Sequence, residues 1–394
     1  MFFQSFGVYV VAWTEELGWS RGAISAGYAL ITLLGGLLGP VHGVLLERFG
    51  VRRMVLTGLV VMATGLALLS TVTTLPVFYV AMVLTGLGLS TSGFLSITTA
   101  IVPWFVRRRS TALALMSIGI SLGGLLVPLV AAAVVDLGWR PTLLVSAGVV
   151  LLAGAPLAVL MRRPPSAYGQ HPDGDLPEPG PGVGGSMPRP ARPTRSDHTL
   201  AEALRTRAFW LLGVGHAAAL LVVAAVTVHL VAHVSEDLGF SLQRGATAIA
   251  LVTLTSAIGQ VVGGPLGDRF DKGRIAALAM IAHGGALVIL AWVPGWFAVV
   301  TFATLHGLAW GVRGPLMGSL RADYFGASHF GSIMGASMMV FMVGQLIGPI
   351  LAGAFADLFG DYRFGFTVLA ALAALASFAF WFATPPPSPK REEA

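Results

Sequence analysis

The chain of 394 residues contains no cysteine and very little charge, with Asp, Glu, Lys and Arg together making up 11%. Without cysteine, neither disulfides nor thiolate metal sites can form. A soluble domain carries about 25% charged side chains, so this chain cannot cover itself in water. No nucleotide-binding glycine loop, nucleophilic triad or metal-ligand constellation is found. Enzymatic activity is therefore not expected, and neither is a cofactor or a metal. A cleavable signal peptide is not expected either: the apolar start, Met1 to Trp13, lacks a basic flank and runs into a spanning pattern.

What is present is a composition 55% apolar, arranged in uncharged runs of about 20 residues, the length that crosses a hydrocarbon core of ~30 Å. Lipid offers backbone amides no partner, so such runs form helices or closed barrels, and continuous rather than alternating runs select helices. Charges and turn residues divide the chain into twelve expected spans: 1–14, 22–46, 53–73, 76–105, 110–135, 141–161, 208–233, 243–267, 275–293, 297–320, 329–356 and 364–383. Residues 1–163 then form one six-helix bundle and 207–385 another, followed by a tail at 386–394. Between the bundles, the Pro- and Gly-rich segment 164–206 buries too little apolar surface to offset its ordering entropy and is expected to be a disordered linker.

The net charge of +6 is compatible with nucleic-acid binding, but its distribution argues against that partner. Most basic residues fall on one side of the expected spans: Arg48, Arg52, Arg53, Arg107 to Arg109, the linker arginines, Arg269, Lys272, Arg274, Arg321, Lys390 and Arg391. The other side has only Arg21, Arg140, Arg244 and Arg363. The positive-inside rule makes the first side cytoplasmic, linker and C-terminus included, in a cytoplasmic (inner) membrane. The first side is called the basic face below.

The chain repeats itself. Glu16-Leu17-Gly18-Trp19-Ser20 recurs 221 residues later as Asp237-Leu238-Gly239-Phe240-Ser241. At the same offset Gly43, Glu47, Arg48 and Phe49 fall on Gly264, Asp268, Arg269 and Phe270, and Gly123 and Pro128 on Gly344 and Pro349. Two parallel six-helix halves joined by a central linker describe a known carrier architecture. At these residues the chain resembles the major facilitator superfamily along its whole length. GVLLERFGVRR, containing Gly43, Glu47, Arg48, Gly50, Arg52 and Arg53, is similar to that superfamily's loop signature, with Glu47 where Asp is usual. GGPLGDRFDKGR, containing Gly264, Asp268 and Arg269, is its second-half copy, with Asp271 and Lys272 disturbing the end. Glycine permits close helix approach, and the acid sits at a helix end where it can pair with arginine, so this loop is expected to hold and gate the basic face. PWFVRRRSTALALMSIGISLGG (Pro103 to Gly124) and EELGWSR (Glu15 to Arg21) resemble the monocarboxylate transporter and oxalate/formate exchanger branch. The repeat aligns Met1 with Val222, in the middle of span 7, so the first helix is expected to be incomplete.

Ionisable residues at bilayer depth are functional candidates. Every Asp and Glu fits a loop or helix end, which leaves Arg313 in span 10 as the charge nearest mid-membrane. Its fork matches a carboxylate, and with no embedded acid to pair with it, an anionic substrate is the expected counter-ion. Snorkelling or capping of backbone carbonyls is the structural alternative. His306, seven residues earlier on nearly the same helix face, and His216 in span 7 are further candidates. Gln260 and Gln345 either bind substrate or join helices. His229 and His233, spaced i, i+4, read as interfacial rather than metal-binding. The exchangers that the chain resembles carry basic residues in their eighth and eleventh helices, where this chain has Gln260 and Gln345, so a dianion fits poorly and a monocarboxylate fits better. The expected function is transport of a small organic anion by a monomer, with protons or a counter-transported anion as the second partner. An exporter of hydrophobic compounds, or a non-transporting sensor, are the alternatives.

Overall fold

The computed structural model describes residues 5–175 and 197–389. Regular structure among these residues is helical throughout. The N-terminal half comprises α1 (Phe6–Leu17), α2 (Arg21–Leu37), α3 (Gly39–Phe49), α4 (Val51–Leu69), α5 (Leu75–Ser92), α6 (Phe94–Ile101), α7 (Arg109–Leu125), α8 (Val127–Leu137) and α9 (Trp139–Val159). After a short α10 (Leu200–Leu204), the C-terminal half comprises α11 (Arg207–Ala232), α12 (Leu242–Arg269), α13 (Lys272–Trp292), α14 (Trp296–Phe325), α15 (Phe330–Phe359) and α16 (Arg363–Phe382). Among the described residues, eight helices or joined helices are long and apolar enough to cross a membrane, or nine if the pair bent by 57° between α2 and α3 counts as one span. Twelve spans were expected. The difference arises where broken, short or more polar helices stand in place of single apolar rods, as at α1, whose 12 residues extend about 18 Å.

Local chemistry repeats along with the sequence. Ser20 caps α2 by accepting from the Ala23 amide, and its counterpart Ser241 caps α12 by accepting from that of Arg244. Each cap follows a turn through a glycine in the left-handed region, Gly18 at φ 67° and Gly239 at φ 70°, where a side chain would be strained. The break between α2 and α3 has Pro40 in the first turn of α3, a residue that cannot donate to the preceding turn.

Each half has its own apolar core. One gathers Trp13, Ile24, Leu66, Phe78 and Leu143; the other Phe209, Val222, Met280, Phe302 and Phe366. Outward-facing side chains are apolar too, with Val135 and Phe297 each 84% exposed, as suits a lipid-facing surface. A third cluster, Leu46, Met54, Leu95 and Val102 against Phe330, Met334 and Phe341, joins the halves at the basic face. There the backbones meet: a Cβ on Gly43 would strike the Gly331 carbonyl, and one on Gly39 that of Gly335. Within the N-terminal half, an apolar cavity of about 650 Å³ opens between α4, α7 and α9, lined by Leu59, Met62, Gly119 and Gly123. The C-terminal half fills the corresponding space with α11, whose Ala217 carbonyl lies against Gly344.

The ends of the segment expected to lack fixed structure are folded. Residues 164–175 make two 3-10 turns, and Thr199 with Glu202 forms a capping box at α10. Residues 176–196 of that segment and 390–394 of the tail lie outside the described residues.

Candidate functional site

Arg313 lies in the middle of α14 and is 1% exposed. Its Nη1 reaches His216 Nδ1 of α11 at 3.4 Å, and its buried Nε has no hydrogen-bond partner. The guanidinium can only donate, so His216 meets it with an Nδ1 lone pair and its ring is neutral. The His216 ring stacks on Phe341 of α15, with centroids 4.0 Å apart. That stacking is possible because α11 and α15 approach at backbone distance, Gly344 against Ala217 and Gly348 against Leu221.

Phe341 also receives Arg321, whose guanidinium carbon lies 4.7 Å from the ring centroid. Arg321 was read from the sequence as a basic-face loop residue. The structure corrects this: it is 1% exposed and hydrogen-bonded throughout, Nε to Ser337 Oγ at 3.0 Å, Nη1 to the Met317 carbonyl at 2.9 Å and Nη2 to the Leu212 carbonyl at 3.2 Å. Arg109, Arg313 and Arg321 are, by whole-residue exposure, the buried Asp, Glu, Lys or Arg residues among the described residues. Arg109 pairs with the half-buried Asp323 at 2.6 Å. Arg321 is satisfied by dipoles, and Arg313 is left with one weak contact. A buried cation without compensation costs several kcal/mol.

The other candidates are placed differently. His306 meets α13, its Nδ1 3.0 Å from that of His283 and its ring stacked on Phe302. Sequence reasoning did not single out His283; a second histidine in an apolar span was the available signal. Gln260 is half-buried and Gln345 exposed. His229 and His233 do not converge: His229 donates from Nε2 to the Pro349 carbonyl and accepts from the Tyr362 hydroxyl, while His233 pairs with Asp237 at 2.7 Å.

The loop motif sits at the basic face and bonds across the halves. Glu47, at the end of α3, accepts from the Ser332 amide at 2.7 Å, in the first turn of α15, and lies 3.4 Å from His329. Asp268, its repeat counterpart at the end of α12, accepts from the Ser110 and Thr111 amides at 2.8 and 3.1 Å, in the first turn of α7. Ser332 and Thr111 are themselves 221 apart, so the two contacts are one contact repeated. Each puts an anion on unpaired N–H groups at the positive end of a helix dipole. Arginine was the expected partner of these acids; backbone amides are the partners found. Arg48 lies against Phe49, Arg52 donates to the Met161 carbonyl at 3.0 and 2.8 Å, and Arg53, Arg269 and Gly50 are exposed. Lys272 joins Arg109 on Asp323, at 2.6 Å.

Two pseudo-repeated helical bundles in a lipid-facing coat, closed on each other at one face and enclosing a buried cation, define a membrane carrier of the two-bundle type. The chain belongs to the Major Facilitator Superfamily: that family's model matches residues 1–246 and again 212–394. It is similar to monocarboxylate transporter 13 of Bos taurus, 28% identical over 374 residues, covering 93% of this chain and 82% of that protein. Among solved structures it resembles the human organic anion transporter MFSD10, with a TM-score of 0.70 at 19% identity over 95% of this chain and 89% of that one. It also resembles the E. coli fucose:proton symporter FucP, with a TM-score of 0.72 at 16% identity over 97% and 96% of the two chains. It is thus a transmembrane transporter and not an enzyme.

Proposed function

We propose that this transporter carries a small organic anion, a monocarboxylate in class, by alternating access across the cytoplasmic membrane, with the basic face toward the cytoplasm. The observation that carries the reading is Arg313: among the described residues, a buried guanidinium with an unpartnered Nε, one 3.4 Å contact to a neutral histidine and no ion pair. A carboxylate brings the one charge and the two acceptor oxygens that this group is missing. The similarity to monocarboxylate transporters supports the same substrate class. His216 acts as a placeholder, holding Arg313 in the empty site and yielding to the substrate. Gln345, one turn beyond Phe341 on α15, is available to the rest of the molecule carried.

Binding measured by thermal shift against a panel of monocarboxylates tests the reading. A ligand at 100 times its dissociation constant raises stability by about 2.7 kcal/mol. One acid stabilising the wild type and not Arg313→Gln is the expected result. Stabilisation by neutral or cationic lipophilic compounds, with no acid effective, would replace the anion with an exported hydrophobic compound.

A further inference from the structure

The gate contacts are flanked by a second pair of acids that the motif does not contain. Asp173 lies in the chain leaving the N-terminal half, and its Oδ2 accepts from the amides of Val106 and Arg107 at 3.1 and 2.9 Å. Its own amide donates to the Trp104 carbonyl at 2.8 Å. Asp197 lies in the chain arriving at the C-terminal half, and its two oxygens accept from the amides of Ala327 and Ser328, each at 3.2 Å. The next amide, that of His198, donates to the Phe325 carbonyl at 2.9 Å. Val106 and Ala327, Arg107 and Ser328, and Trp104 and Phe325 are each 221 residues apart. Two acids therefore grip the same three loop positions in the two halves.

The acids themselves are not repeat partners. The counterpart of Asp173 is Ala394, and one acid follows its bundle while the other precedes it. Duplication of an ancestral half supplies the loops but not the clasps on them. The Asp173 clasp also holds backbone that an ordinary loop avoids: Asp173 is the one residue other than glycine with positive φ among the described residues, at 60°, a conformation that persists only where surrounding contacts enforce it. Gly326 beside Asp197 has φ 88°, which glycine adopts freely, and a Cβ there would run into the Asp197 carboxylate.

Position gives the clasps their meaning. Each loop leads within a few residues into the helix start that the opposite half caps: 106–107 into Ser110 and Thr111, held by Asp268, and 327–328 into Ser332, held by Glu47. We propose that Asp173 and Asp197 are positioning residues of the gate, each fixing from its own half the helix start whose amides the motif acid of the other half must meet for the basic face to close. Without its clasp a loop can swing, and the amides of α7 or α15 leave the line of the acid across the gate. The proposal rests on the alternating-access reading above and is independent of the substrate.

The natural absence of cysteine provides the test. Ala114, 2% exposed and packed under Gly264 at the junction of the halves, becomes a reporter as Ala114→Cys in the full-length protein, and the rate of maleimide labelling tracks opening at the basic face. Glu47→Gln and Asp268→Asn, each removing charge-assisted hydrogen bonds, are expected to speed labelling about tenfold. Asp197→Asn is expected to speed it several-fold in the reporter background but to add nothing to Glu47→Gln, while multiplying with Asp268→Asn. Asp173→Asn is expected to show the converse pattern. Ser328→Ala, which removes the hydroxyl arm of the Asp197 clasp, is the milder variant should Asp197→Asn fail to fold. Effects that multiply in every pairing, or a lowered thermal midpoint with unchanged labelling, would make the clasps mere fasteners of the chain and overturn the proposal. If the two motif variants themselves leave labelling unchanged, the gate reading falls and the proposal falls with it. Carboxylate binding, measured separately, would be untouched by that outcome.

Discussion

Two buried arginines eight residues apart on α14 do different work, and their hydrogen bonds tell them apart. Arg321 has all three nitrogens engaged, on a hydroxyl of α15, a carbonyl of its own helix and a carbonyl of α11. Arg321→Met is expected to cost about 1–3 kcal/mol through the acceptors it strands, read as a lower thermal midpoint with the carboxylate dissociation constant unchanged. Arg313→Gln is expected to do the reverse, abolishing carboxylate binding and leaving the midpoint of the empty protein equal or higher, because an uncompensated buried charge disappears. Arg313 was legible in the sequence as a lone charge inside an apolar run. Arg321 was not, because a charge one turn from a helix end looks the same whether it points into solvent or into the bundle. His306 is seven residues from Arg313, which returns it to nearly the same helix face about 10 Å along the axis, and its hydrogen-bond neighbour there is His283 of α13.

At the scale of elements, glycines decide which helices can touch. Gly344 and Gly348 lie against carbonyls of α11, and that closeness sets His216 on Phe341. Gly344→Ala is expected to push α11 and α15 apart at a cost of about 1–3 kcal/mol. It should also weaken carboxylate binding by shifting His216, the two effects being measured by thermal midpoint and by titration. Gly344 was visible in the sequence as the repeat counterpart of Gly123; the approach of α11 to it was not. Nor were the partners of Glu47 and Asp268, because a backbone amide has no residue signature: sequence reasoning sought side chains of opposite charge, and the acids cap helices. Composition misled at the linker as well. Its proline and glycine content conceals that Asp173 and Asp197 each close a ring of backbone bonds, which needs only one acid and a loop of the right shape.

For the whole molecule, the 221-residue offset that aligns Glu47 with Asp268 in the sequence also relates their partners, Ser332 and Thr111. Contact there between the two halves is made without side chains between them, Gly39 against Gly335 and Gly43 against Gly331. Gly335→Ala is expected to hold the basic face open, seen as fast labelling of Ala114→Cys with the fold intact by thermal denaturation. Arg313 has a consequence at this scale that is electrical. In a carrier that alternates about a fixed site, a buried charge passes through the membrane potential each time access switches, at about 2.3 kcal/mol per charge per 100 mV. Under the proposed reading a bound monovalent anion offsets Arg313 and leaves the charge of Arg321, whereas the empty site carries both. The voltage therefore acts more strongly on the return journey of the vacant carrier.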